Sequence, residues 1–535
     1  MWYYDTIVME QLPTTGHRTA GPSRNGVTAA LPAEPTPYFI IAVVMLGNFM
    51  GPLYSSSANV ALPNLIASFG ANVDTMEWVI TGYMLGYSVA MPLAGWLADT
   101  YGRRRIYLLG LAIFAAASVC ASLAWSSSSL IAFRIAQAIG GGIISPTGMA
   151  IIMDVVPLAQ RGRALGLWGM GMMLAPAFAP WISGLILDNM GDWRPIFLMG
   201  VPIGLAGLVM SYAFLPKSED SRHTRAAFDF FGFASLTGAL ALFLVPLTQG
   251  NRIGWDDNSI RGSFAGSAVL FAAFLWWELR SEEPMIDLGL FRDRAFAVAI
   301  ALRGVLGMGY YFAIFLLPLF TQDVLHWDAT ESGLVLIPGG VAMAFLMPVS
   351  GSLADRIGPR PLVVAGMAIA ALGTYLFAAI DTTWGPNAIA LDNLVRTAAL
   401  GIMFTPLTIA ALTNVPRSRT GRASGVLNTI WQVGGSLGIA VSSTYLTART
   451  AAHYSALRTA AVLSRVPIRE MLHHITHLAA ASGMPAHAAY AMIYQLYVGV
   501  AAVRAYGDTF MLGAVITAAS VPIAFLLAGR HYAAR

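Results

Sequence analysis

Gly95-Trp96-Leu97-Ala98-Asp99-Thr100-Tyr101-Gly102-Arg103-Arg104-Arg105 lies between two apolar runs, each long enough to cross a bilayer. A short loop that opens on Gly, carries one Asp, turns at a second Gly and closes on three Arg reads as a tight turn at a membrane surface. Gly95 and Gly102 allow close backbone approach and positive φ. Asp99 is placed to cap a helix N-terminus or to pair with an Arg across the turn. Arg103 and its neighbours hold the loop on the cytoplasmic side, where basic residues accumulate. The spacing returns in the second half as Gly351-Ser352-Leu353-Ala354-Asp355-Arg356-Ile357-Gly358-Pro359-Arg360. Two turns built alike, so far apart in one chain, imply an internal repeat.

Composition supports a membrane setting. Of 535 residues, 57% are hydrophobic and 11% charged, and the mean hydropathy is +0.65. Soluble domains carry about 25% charged residues. The net charge of +4 follows loop sidedness and is no nucleic-acid footprint. With Cys120 as the single cysteine, no intramolecular disulfide can form.

Residues 1–37 are polar, with scattered Pro and Gly, and read as a cytoplasmic tail. Fourteen spans follow, at roughly 38–62, 77–97, 106–125, 130–153, 164–187, 195–215, 230–249, 262–279, 296–320, 332–353, 362–380, 390–412, 422–446 and 508–529, each near the ~20 residues a crossing helix needs. An even number puts both ends on one side. The Arg-rich loops at 98–105, 154–163, 216–229, 280–295, 354–361 and 413–422 make that side the cytoplasm. Residues 447–507 then lie outside, with helical patches of their own. Their His473, His474 and His477 fit a solvated helix face better than a metal site.

Other pieces repeat. Arg161-Gly162-Arg163-Ala164-Leu165-Gly166 returns as Thr420-Gly421-Arg422-Ala423-Ser424-Gly425. Arg134, early in the fourth span, has its counterpart in Arg396, and Pro146 and Pro406 follow them. The expected organisation is an all-α membrane protein. A six-helix bundle at 38–215 and another at 296–529 flank a linker at 216–295 that carries two extra helices, and 530–535 form a cytoplasmic tail. Paired, repeated bundles are a transporter architecture, with the site between the halves near the midplane.

The chain resembles the major facilitator superfamily, and within it the fourteen-helix drug:proton antiporters of EmrB/QacA type. The resemblance covers about residues 40–530. It rests on the two loop motifs, on Asn59-Val60-Ala61-Leu62-Pro63, on Trp78-Val79-Ile80-Thr81-Gly82-Tyr83 and on Arg134-Ile135-Ala136-Gln137 with its following glycines. Trp193-Arg194-Pro195-Ile196-Phe197 with Val201-Pro202, and Gln249-Gly250-Asn251 before Gly254-Trp255, add to it. The resemblance implies the major facilitator fold and export of hydrophobic or amphiphilic drugs across the inner membrane by proton antiport, without cofactor or enzymatic chemistry. It also implies a periplasmic adaptor and an outer-membrane channel as partners. A transporter for one dedicated metabolite is the alternative.

The candidate residues fall into three groups. Gly95, Asp99, Gly102 and Arg103, with Gly351, Asp355 and Gly358, form the gating loops. The antiporter helix carries Gly166, Gly169, Met173, Ala177, Pro180 and Gly184 on one face, with Pro176 bending it. The family's Gly-Pro pairs and Gly-Gly read here Ala175-Pro176, Ala179-Pro180 and Ser183-Gly184, which fits packing as well as antiport. The coupling and substrate group is Arg134, Gln137, Tyr54, Asn59, Asn428, Gln432 and Glu77. An Arg inside a span should face a partner or a wet cavity. Asn428 and Gln432 fit cavity lining and interhelical bonding equally. Where the family often places an Asp in the first span, this chain has Tyr54-Ser55-Ser56-Ser57. Glu77 is the expected proton-path carboxylate, with Asp154 and Asp188 next in line.

Overall fold

In the computed structural model, residues 36–71, 73–216, 228–282, 284–463 and 486–527 are described. Long apolar stretches broken by Gly, Pro and capping residues make a chain of helices, and no strand occurs among the described residues. α1 (Pro37–Phe69) and α2 (Val73–Tyr101) are followed by α3 (Arg103–Ser122), α4 (Ser127–Val155) and α5 (Arg161–Met190). Gly102 separates α2 from α3 at φ 94, a conformation other residues rarely adopt. Ser126 and Ser129 close a reciprocal capping box at the start of α4. α5 keeps both prolines inside it and ends on left-handed Gly191.

The sixth span is broken into α6 (Arg194–Leu198) and α7 (Val201–Phe214), with Pro202 at the start of the second piece. α8 (Phe230–Ile253), α9 (Asn258–Glu278) and α10 (Arg294–Asp323) each start from an Asp N-cap: Asp229, Asp257 and Asp293. α11 (Ala329–Leu334), α12 (Ile337–Ile357), α13 (Pro359–Leu376), α14 (Pro386–Leu412), α15 (Thr420–Leu463) and α16 (Ala486–Ala524) complete the order. Gly358, at φ 85, separates α12 from α13 as Gly102 separates α2 from α3.

Among the described residues, twelve helical segments are long and apolar enough to cross a membrane. α2, of 29 residues, and α15, of 44, are less apolar and sit inside, packed on each other and on α4 and α10 respectively. Together these make fourteen membrane-length helices. α1, α3, α4 and α7 pack among themselves, as do α10, α13, α14 and α16. The two sets meet chiefly where α5 runs along α12 and α2 along α15. α8 and α9 pair with each other, and α8 leans on α2 and α15. Leu205, Val209 and Tyr212 on α7, Val269 and Phe271 on α9, and Val515 on α16 face outward, as lipid-facing apolar residues do.

Two boundaries differ from those expected. α15 continues well past residue 446, to a length of about 66 Å, and α16 begins at Ala486 rather than near 508. Hydropathy falls there while helix propensity does not, because Ala448, Ala451, Ala452 and Ala456 are strong helix formers. The two helices pack along each other. Asp508 of α16 joins them by accepting from Arg449 Nε at 2.7 Å and pairing with His453 Nε2 at 2.7 Å. His473, His474 and His477 lie outside the described residues.

Candidate functional site

The two repeated loops act on each other's half. Asp99, at the end of α2, accepts from Gly421 N at 3.1 Å and Arg422 N at 3.0 Å, in the first turn of α15. Asp355, at the end of α12, accepts from Gly162 N at 3.1 Å and Arg163 N at 3.4 Å, in the first turn of α5. Each aspartate thus satisfies N–H groups that a helix start leaves open, and it does so across the interface rather than on its own helix. Arg103 Nη2 holds Asp99 Oδ1 at 3.1 Å, and the same guanidinium reaches Asp154, Ala150 O at 3.2 Å and Arg417 O.

The glycines explain how the backbones come close enough. A Cβ on Gly95 would lie 2.4 Å from Gly421 O, and one on Gly351 would lie 2.0 Å from Gly162 O. One turn deeper, Gly425 lies against Met91 O and Gly166 against Met347 O and Pro348. The repeat therefore starts earlier than the loop motif, at Met91-Pro92 and Met347-Pro348, a signal present in the sequence itself. Helices α2 and α15, and α5 and α12, are zipped together at the loop-motif end of the molecule.

Arg134, seven residues into α4, is fully buried. Its Nε donates to Val79 O at 3.3 Å, Nη1 to Gln137 Oε1 at 2.6 Å and Nη2 to Tyr54 O at 3.3 Å. The Tyr83 ring lies under the guanidinium at 4.0 Å, an arrangement favoured by the ring quadrupole. Gln137 donates in turn to Ser118 Oγ at 2.7 Å. Tyr54 OH donates to Phe197 O at 2.6 Å and accepts from Gly200 N at 2.9 Å, which ties α1 to the break between α6 and α7. Arg134, Gln137 and Tyr54 therefore form one network. No carboxylate pairs with Arg134 among the described residues. The side chains of Asn59 and Glu77 lie outside the described residues.

Asn428 and Gln432 belong to α15, in the other half. Asn428 Nδ2 donates to Ser424 O at 2.8 Å, while its buried Oδ1 has no partner among the described residues. Tyr311 OH reaches Gln432 Oε1 at 3.5 Å. On α5, Gly166 and Gly169 meet Met347 of α12, and Ala177 meets Gly340, whereas Gly184 faces open space. Asp154 is exposed on Arg103, and Asp188 is exposed at the far end of α5.

Two groups were missed. Arg303 of α10 is fully buried between the Phe404 and Trp431 rings, at 3.7 and 5.0 Å. Its Nη1 lies 3.4 Å from Thr408 Oγ1, and its Nε and Nη2 have no partner among the described residues. An Arg in an apolar run was the available signal; its aromatic partners come from α14 and α15. Asp392 is buried in α14, one turn before Arg396. The i, i+4 spacing to Arg396 was its signal.

Residues 39–439 match the model of the Major Facilitator Superfamily, and the chain belongs to that superfamily. Within it, the chain is similar to multidrug proteins. It is 31% identical over 429 residues to the Multidrug export protein EmrB of Escherichia coli (strain K12), covering 80% of this chain and 83% of that one. It is 34% identical over 405 residues to the Multidrug resistance protein Stp of Mycobacterium tuberculosis (strain ATCC 25618 / H37Rv), covering 75% and 74%. The crystal structure of the human organic anion transporter MFSD10 (TETRAN) superposes with a TM-score of 0.57 at 16% identity, over 90% of this chain and 100% of that one, a likeness of fold alone.

Proposed function

We propose that the chain is a secondary exporter of hydrophobic and amphiphilic compounds across the inner membrane, driven by proton entry. The multidrug export relatives support the substrate class. The observation that carries the mechanism is the reciprocal capping of α15 by Asp99 and of α5 by Asp355. An N-cap contributes about 1 kcal/mol, so the pair is strong enough to favour a closed end and weak enough to let it open. That is what alternating access between two halves requires. The Arg-rich loops support a cytoplasmic position for this end and for both termini. A periplasmic adaptor would meet the outer stretch 447–507, and deletion of 464–485 should lower adaptor co-purification; equal recovery would remove that stretch from the interface.

The test is efflux of Hoechst 33342 in inverted vesicles under an imposed pH gradient. Gradient-dependent transport that a protonophore abolishes is the expected result. Transport indifferent to the gradient would overturn the proton-driven part, and a chain that moves a single metabolite but none of a panel of unrelated dyes would overturn the multidrug part.

A further inference from the structure

We infer that Asp392 carries the transported proton, with Arg396 as the group that makes it let go; this rests on the proton-driven reading above. Asp392 lies six residues into α14, about 9 Å from the helix start. The α13–α14 connection is at the end opposite the loop motifs, so Asp392 sits near the outer end of α14. The residue is 7% exposed, and both carboxylate oxygens are sealed from solvent with no hydrogen-bond partner among the described residues.

Asp392 therefore differs from the other carboxylates described above. Asp99 and Asp355 each accept two backbone N–H bonds, and Asp154 and Asp508 are held by Arg. A sealed, ionised carboxylate without donors costs several kcal/mol, whereas the neutral acid costs far less. In the conformer closed at the motif end, the surroundings of Asp392 suit the protonated form.

The release step has a partner at hand. Arg396 is one turn further along the same face of α14, and it is the charged group whose field acts on Asp392. Its hydrogen bonds go elsewhere. Nη1 donates to Gly309 O of α10 at 3.2 Å, Nη2 donates to Asn393 Oδ1 at 3.0 Å, and Nε is unpartnered among the described residues. From α10, Tyr310 also faces Arg396. α12 brings Gly339 against Asn393 and Thr397, and α13 brings Gly373 against Arg396, so neither helix adds a charge at these contacts.

The grip on Gly309 O depends on the spacing of α10 and α14. A shift of α10 that breaks this bond frees a guanidinium to turn onto Asp392, stabilise its carboxylate and expel the proton to the opened side. One proton then enters from outside and leaves inside per cycle, against the substrate. In the other half, Arg134 stands at the matching place but Leu130 occupies the position one turn before it. An acid one turn before the repeated Arg therefore belongs to the C-terminal half.

Full-length protein in proteoliposomes of phosphatidylethanolamine and phosphatidylglycerol, with Hoechst 33342 as probe, tests this. The wild type must first show gradient-driven transport; if it does not, the proton-driven reading falls, separately from Asp392. Asp392→Asn is then expected to lose gradient-driven accumulation at least tenfold and to lose dye-induced proton release in detergent. It should keep more than half of dye counterflow in the absence of a gradient. Asp392→Glu, which retains a carboxyl, is expected to keep accumulation with a shifted pH of half-maximal rate. Wild-type accumulation by Asp392→Asn would overturn the inference, and so would loss of counterflow together with accumulation, or an Asp392→Glu pH profile identical to wild type.

Discussion

Arg134 donates three hydrogen bonds and rests on the face of Tyr83 without a neighbouring described carboxylate. Hydrogen bonds from a charged group are worth about 1.5–3 kcal/mol each. Arg134→Ala should therefore destabilise the N-terminal half by about 3 kcal/mol or more, seen as a clear fall in the thermal midpoint of the purified protein. An unchanged midpoint would mean that the network carries no weight. Gly351 is argued differently, from space. A Cβ there would sit 2.0 Å from Gly162 O, a backbone atom that cannot swing aside, and 2.9 Å from Thr405 Cγ2. Gly351→Val should keep dye binding and cut turnover at least tenfold, because the motif end cannot shut; turnover near wild type would contradict the close approach. The loop glycines and aspartates were legible from spacing alone. Their partners were not, because Gly162 and Gly421 lie 193 and 322 positions from the aspartates they meet, and only folding joins them. Arg303 illustrates the same limit, with an odd residue visible in the sequence and its aromatic sandwich supplied by two distant helices.

At the scale of elements, apolar length fixed nearly every helix, since a stretch that crosses hydrocarbon has little choice but to be helical. Hydropathy failed where a helix leaves the membrane without ending. α15 runs on to Leu463 and α16 starts at Ala486, and their polar extensions are joined through Asp508. α2 and α15, whose faces meet protein rather than lipid, were legible as spans at 77–97 and 422–446 all the same. Sidedness is a further prediction at this scale. Reporter fusions after Pro216 and after Leu463 should report opposite sides of the membrane, the first cytoplasmic. The same side for both would break the alternation of fourteen helices.

For the whole molecule, the two halves are held at one end by a pair of equivalent contacts, each made of a carboxylate from one half and a helix start from the other. Their equivalence lets one motion release both. Losing both caps removes about 2 kcal/mol, roughly a thirty-fold change in the ratio of closed to open forms. Spin labels at Ala159, beside the start of α5, and at Arg356, beside the end of α12, in a Cys120→Ser background would read that ratio as a distance distribution. Asp99→Asn combined with Asp355→Asn should move the distribution from a short peak to a longer one in the absence of substrate. A distribution that keeps its short peak in the double variant would contradict closure by the two aspartates.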